Sequence, residues 1–102
     1  DAAREWMLVL GRKTAREKIA SLLYMIATRM VKLKPGASET ISFILPITRE
    51  TMANYLGLTI ETVSRQMTAL KKDGIIAFDD RRDIKVPDLA ALKAETGEDV
   101  FS

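Results

Sequence analysis

Hydrophobic side chains recur at helical spacing from the first residues of the chain. In "DAAREWMLVL" (1–10), Ala3, Trp6, Met7 and Leu10 form one stripe, and Gly11 then breaks it. An apolar stripe carrying Trp wants a partner. It is read here as the end of a coiled-coil dimerisation helix, with packing on the domain behind it as the alternative. Thr14-Ala-Arg-Glu17 has capping-box spacing, in which the hydroxyl accepts a backbone N–H three residues on and the carboxylate reaches back. The helix opened there carries Ile19, Leu22, Leu23, Ile26, Ala27 and Met30 on one side, an i, i+3, i+4, i+7 pattern that assigns it to the core. Lys32 and Lys34 suit its C-terminus, before Pro35-Gly36. Residues 35–40, "PGASET", read as a loop.

The period then changes. "ISFILPI" (41–47) alternates, has a β-branched bias and contains Pro46, which predicts a short strand at a sheet edge. Thr48 caps a helix to about Leu56, with Ile47 and Met52 at staple spacing, and Gly57 ends it in a left-handed turn. Thr59 caps the next, with Leu58 and Val63 as a second staple and Gly74 as its stop. Two short helices joined by "GLT" have the sequence shape of a helix-turn-helix. Behind them "IIAF" (75–78) and "DIKV" (83–86) read as two strands around a charged turn, a wing. Asp88 caps a final helix, "LAALKAET", closed by Gly97. The expected fold is mainly α with a small antiparallel β wing. Residues 1–11 are the end of the dimerisation helix and a hinge, 12–97 the winged helix-turn-helix, and 98–102 a fraying tail.

Composition narrows the chemistry. The 102 residues suit one small domain, and at 47% hydrophobic they can build a modest core. With neither cysteine nor histidine, the chain offers no thiolate metal site, no disulfide and no imidazole base. No apolar run reaches the ~20 residues of a membrane helix and no secretory signal appears, so a cytoplasmic location without membrane contact is the default expectation. Because the chain starts with Asp in what reads as mid-helix, it is expected to be a fragment lacking its N-terminal part. Net charge is only +2, yet residues 1–34 carry +5 and residues 75–102 carry −3. Such a gradient fits a front half facing phosphate as well as it fits an ordinary soluble protein.

On the second short helix Val63, Met67 and Leu70 share an inward face, while Glu61, Ser64, Arg65 and Thr68 share another. In a helix-turn-helix the first turn of that second helix enters the DNA major groove. There Arg65 can donate two hydrogen bonds to guanine, Glu61 can accept from the amine of cytosine, and Ser64 can serve either sign. A carboxylate facing DNA is repelled by phosphate, so its presence points to base reading. The bland reading is a solvated Glu–Arg pair worth a few tenths of a kcal/mol. The surrounding helix-turn-helix and wing shift the balance to base contact. Thr48, Arg49, Thr59 and Thr62 are positioned to meet backbone phosphate through hydroxyls, charge and helix N-termini, with plain capping as the alternative for the two cap threonines. Arg81 and Arg82, ringed by Asp79, Asp80 and Asp83, read as a solvated turn.

From Ile47 onward, "ITRETMANYLGLTIETVSRQMTALKKDGII" resembles the winged helix-turn-helix of the cAMP receptor protein/FNR superfamily of bacterial regulators. "LGLTIETVSR" looks most like the FNR and FixK branch, whose Glu-x-x-Ser-Arg pattern is present as Glu61, Ser64 and Arg65. "LGRKTAREKIASLL" is similar to the family's passage from dimerisation helix to DNA-binding domain. The resemblance implies a homodimer on double-stranded DNA with inverted repeats of the TTGAT kind. It implies that Glu61 and Arg65 address the central G·C pair and Ser64 the neighbouring thymine. Ile60 stands where the cAMP-responsive branch carries a base-contacting Arg, which argues against that branch's TGTGA site. By the same resemblance loop 35–40 lies where activators touch RNA polymerase. No cofactor is expected in this fragment, and an iron–sulfur cluster would belong to the missing sensor region. Thr51 departs from the pattern, since an acidic residue often completes a capping box there, and a weaker cap is expected.

Two other classes compete. A winged helix can serve as a protein-interaction module, which predicts no salt-steep DNA affinity. An enzyme would have to work without His or Cys, and its only paired carboxylates lie in the "DDRRD" turn with no convergent cleft implied. An enzyme is not expected.

Overall fold

The computed structural model describes residues 4, 8, 11–30, 40–79 and 82–97. In chain order the elements are α1 (Ala15–Met30), β1 (Ile41–Ile44), α2 (Arg49–Leu56), α3 (Ile60–Lys72), β2 (Asp83–Val86) and α4 (Leu89–Ala94). Arg4 and Leu8 are also helical, and residues 11–13 turn and bend where Gly11 breaks the apolar stripe. Trp6, Met7, Leu10, Lys32, Lys34, residues 35–39, Asp80, Arg81 and the tail 98–102 lie outside the described residues, as does the side chain of Met30.

The capping box at the start of α1 is complete. The Glu17 N–H donates to Thr14 Oγ1 at 3.1 Å and the Thr14 N–H donates to Glu17 Oε1 at 2.8 Å. The amide donated by Thr14, and then its hydroxyl, hold the Glu17 carboxyl below the usual carboxylate range. Beyond the cap, Ile19, Ala20, Leu23 and Ala27 are fully buried, as the 3.6-residue period requires. Their helix packs against α3, α4 and β1.

Strand β1 is shorter than the sequence predicts. It ends at Ile44, although the Leu45 N–H still donates to the Arg82 carbonyl at 2.5 Å. Pro46 has no N–H to continue the ladder, and Thr48 is already committed to capping α2. β1 pairs antiparallel with β2, Ile41 opposite Val86 and Phe43 opposite Ile84. These four side chains are buried and their alternate neighbours exposed, so one face of the sheet closes on the core.

The wing differs from expectation. Residues 75–78 do not form a strand and pair with β2 through an isolated bridge, Ala77 to Lys85, with both N–H···O distances 2.8 Å. The flanking groups are spent elsewhere. The Ile75 N–H donates to the Leu70 carbonyl at the end of α3, and the Phe78 carbonyl accepts from Lys71 Nζ. The partner of β2 is instead β1, which comes from before the helix-turn-helix.

Both helix-turn-helix caps form as the sequence reads. Thr48 Oγ1 accepts the Thr51 N–H and Thr59 Oγ1 accepts the Thr62 N–H, each at 3.1 Å. Gly57 takes φ +70, and the Leu58 N–H donates to the Ala53 carbonyl at 2.9 Å, a Schellman closure. Leu58 then turns onto the core, half-buried, and the next residue starts a new cap. Asp88 caps α4 by accepting from the Ala90 N–H at 3.0 Å.

The C-terminal ends of α3 and α4 meet the start of α1. Arg16 Nη1 lies 2.8 Å from Asp73 Oδ2, and its Nε lies 2.7 Å from Glu95 Oε1. Lys13 Nζ and Ser21 Oγ both donate to the carbonyl of buried Thr96. One arginine thus bridges the cap residues that follow two helices.

Candidate nucleic-acid interface

The inward face of α3 is held firmly. Val63, Met67 and Leu70 are at most 1% exposed, and burying side chains of this size contributes about 1.5–3 kcal/mol each. On the opposite face, Glu61, Ser64, Arg65 and Thr68 are all exposed. The Glu61 and Arg65 side chains retain 72% and 74% of their accessible surface while their charged ends sit 2.5 Å apart. An exposed i,i+4 pair adds only a few tenths of a kcal/mol. Stability therefore resides in the buried face, and the exposed one is open to a partner. Ile60, the first residue of α3, is 49% exposed and adds an apolar contact surface beside Glu61.

The residues expected to touch phosphate divide in two. Thr48 and Thr59 are exposed at the two helix starts, each with its hydroxyl directed to the threonine three positions on. Thr48 Oγ1 donates to Thr51 Oγ1 at 3.1 Å and Thr59 Oγ1 to Thr62 Oγ1 at 2.9 Å, so Thr51, standing where the resembled family often carries an acidic residue, supplies a hydroxyl partner to its cap. The cap threonines are thus engaged as caps, while Thr51 and Thr62 accept and keep their own hydroxyl protons to donate. Arg49, the first residue of α2, comes beside the middle of α3. With Ser64, Met67, Thr68 and Phe78 it borders an open hollow of about 200 Å³.

Sequence reasoning missed Phe78 and Lys71. The Arg49 guanidinium carbon lies 5.6 Å from the Phe78 ring centroid and Lys71 Nζ lies 4.6 Å from it. Lys71 was legible as the i+7 partner of Ser64, two turns further along the exposed face. Phe78 was hidden by its assignment to a wing strand. Arg82 is tied to the sheet, its Nε donating to the Leu45 carbonyl at 3.1 Å, while Arg81 lies outside the described residues. Among the described residues no group of three or more acidic, His or Cys side chains is arranged to hold a metal ion, and no helix is long and apolar enough to cross a membrane.

Two capped helices joined by a left-handed glycine turn, a third helix behind them and a small antiparallel sheet at the side define a winged helix-turn-helix domain. Residues 17–95 match the family described as Crp-like helix-turn-helix domain, and the chain belongs to that family. Its relatives place it in the FNR/FixK branch. It is 62% identical over 100 residues to the transcriptional activator protein FnrL of Cereibacter sphaeroides, covering 97% of this chain and 40% of that protein. It is 51% identical over 76 residues to the nitrogen fixation regulation protein FixK of Bradyrhizobium diazoefficiens, covering 74% of this chain and 31% of that one. Among solved structures, FixK2 from Bradyrhizobium japonicum superposes with a TM-score of 0.69 at 36% identity, covering 87% of this chain and 41% of that chain. The chain thus spans about two fifths of the length of FnrL and FixK2.

Proposed function

We propose that this chain is the DNA-binding part of a dimeric transcription regulator that reads TTGAT-like inverted repeats in the major groove and acts as an activator. The observation that carries the reading is the exposed Glu61–Ser64–Arg65 face at the start of α3, on a helix whose opposite face is fully buried. The relatives named as transcriptional activators support the regulatory role. In this reading Arg65 donates to guanine, Glu61 accepts from the paired cytosine, Ser64 meets the adjoining thymine, and Ile60 and Thr68 complete the base-facing surface. Arg49, Thr62 and the two capped helix starts at Thr48 and Thr59 hold the backbone. The mechanism is binding, with no bond made or broken. Two copies place their α3 helices in successive major grooves about 34 Å apart, joined through residues 1–11. RNA polymerase is the second partner, met through loop 35–40, and no cofactor is held by this part of the protein.

The test is a titration panel with TTGAT palindromes, TGTGA palindromes and scrambled duplexes across a range of salt. The TTGAT duplex is expected to bind tightest, with affinity falling steeply as salt rises. Equal affinity for all three would remove base reading, and flat salt dependence would favour a protein-interaction module.

A further inference from the structure

Phe78 sits where three parts of the interface meet: the first residue of α2, the last turn of α3 and the hollow beside the exposed face. Its ring is half-buried against the core, which any large apolar side chain could achieve. What an aliphatic side chain lacks is a π face. The negative face of an aromatic ring attracts cations within about 6 Å of its centroid, and both Arg49 and Lys71 lie inside that range. Lys71 is fixed further, its ammonium donating to the Phe78 carbonyl at 2.8 Å.

Arg49 and Lys71 thus both bring N–H donors to the neighbourhood of this ring. A backbone phosphate is an anion that cationic side chains and hydroxyls recognise. The hollow has the chemistry for one: a guanidinium and the Ser64 and Thr68 hydroxyls on its border, with Met67 and Phe78 as apolar wall. Ser64 and Thr68 belong to the outward face of α3, so groups for base reading and groups for backbone holding share one border.

We propose that Phe78 is a positioning residue for DNA-backbone contact, its ring holding Arg49 at the border of the hollow and Lys71 beside the ring so that both meet backbone phosphates flanking the base-reading face. This rests on the DNA-binding reading above and adds to it a residue that touches no nucleotide itself. It also assigns Lys71 as a phosphate contact. Pre-placing two long side chains reduces the rotamer freedom each would lose on binding.

The test compares wild type, Phe78→Leu, Phe78→Tyr, Lys71→Gln and Arg49→Ala on matched and scrambled duplexes as salt is varied. Phe78→Leu is expected to weaken both duplexes alike, by roughly 3- to 10-fold, and to lower the slope of log affinity against log salt by up to about 1. Phe78→Tyr keeps the ring and should stay within about 2-fold of wild type on both. Lys71→Gln, at an exposed position, should lower the slope without touching the ring, which keeps the proposal testable if Phe78→Leu fails to fold. A wild-type slope in Phe78→Leu or Lys71→Gln, alongside a lowered slope in Arg49→Ala, overturns the proposal and leaves DNA binding intact. Equal losses for Tyr and Leu at position 78 overturn it as well. A wild-type chain with no salt-dependent duplex affinity removes the underlying reading instead.

Discussion

At the scale of single residues, Arg65 and Glu61 carry the sharpest claim. Their ion pair is largely exposed to solvent and worth too little to be kept for stability. What the pairing provides is orientation, since the carboxylate lies against the guanidinium on the first turns of α3, and the proposed reading uses that orientation to meet a base. Arg65→Ala should cost about 1–3 kcal/mol on a G-containing half-site and relax discrimination at that position. Its thermal unfolding should be nearly unchanged. Titrations on matched and single-substituted half-sites check the first, and calorimetry the second. A uniform loss on all sequences would make Arg65 a phosphate contact. These residues were legible because helical spacing separates two faces of α3 cleanly. Phe78 was not, because nothing in "IIAF" tells a ladder strand from a segment whose first amide closes the end of α3 and which pairs with β2 through the isolated bridge at Ala77.

At the scale of elements, the turn between α2 and α3 sets how α3 is aimed. Gly57 adopts φ +70, and a Cβ built on it would meet nothing within 4 Å. Gly57→Ala is therefore a backbone experiment free of steric clash. It should destabilise the domain by about 1–2 kcal/mol, the ordinary cost of left-handed backbone for an L residue, with Gly57→Asn costing less. Urea unfolding of the three proteins gives the comparison, and equal stability of Ala and Gly would show that the turn can relax to another closure. Caps and stops were the most readable part of this chain: Thr14 with Glu17, Thr48, Thr59, Gly57 and Asp88 all act as their residue types dictate. Strand pairing was the least readable. The partner of β2 is β1, far away in sequence, and local pattern cannot report which distant strand supplies the matching edge.

At the scale of the whole molecule, Arg16 ties the chain together. It is 28% exposed and reaches both Asp73, after α3, and Glu95, after α4. The carboxylate of Glu95 raises its affinity for its proton above an already high ordinary value, with Asp73 adding to the effect, so the charge is permanent. Arg16→Ala should destabilise the domain by about 1–2 kcal/mol, the range for hydrogen bonds between charged groups after discounting for solvent. Asp73→Asn should cost less, since that partner is 53% exposed. Chemical denaturation reads both, and an unchanged midpoint in Arg16→Ala would reduce the bridge to surface decoration. No sequence pattern linked position 16 to positions 73 and 95. Such a contact depends on how helices pack, which periodicity constrains only to a face.

The hydrogen bonds received by the Thr96 carbonyl from Lys13 and Ser21 bring the entry and exit of the folded unit to one pole. A peptide bridge of on the order of four residues is then long enough to join position 97 back to position 13. The domain is thereby a natural substrate for circularisation, with new ends opened elsewhere on its perimeter and the α3 surface left undisturbed.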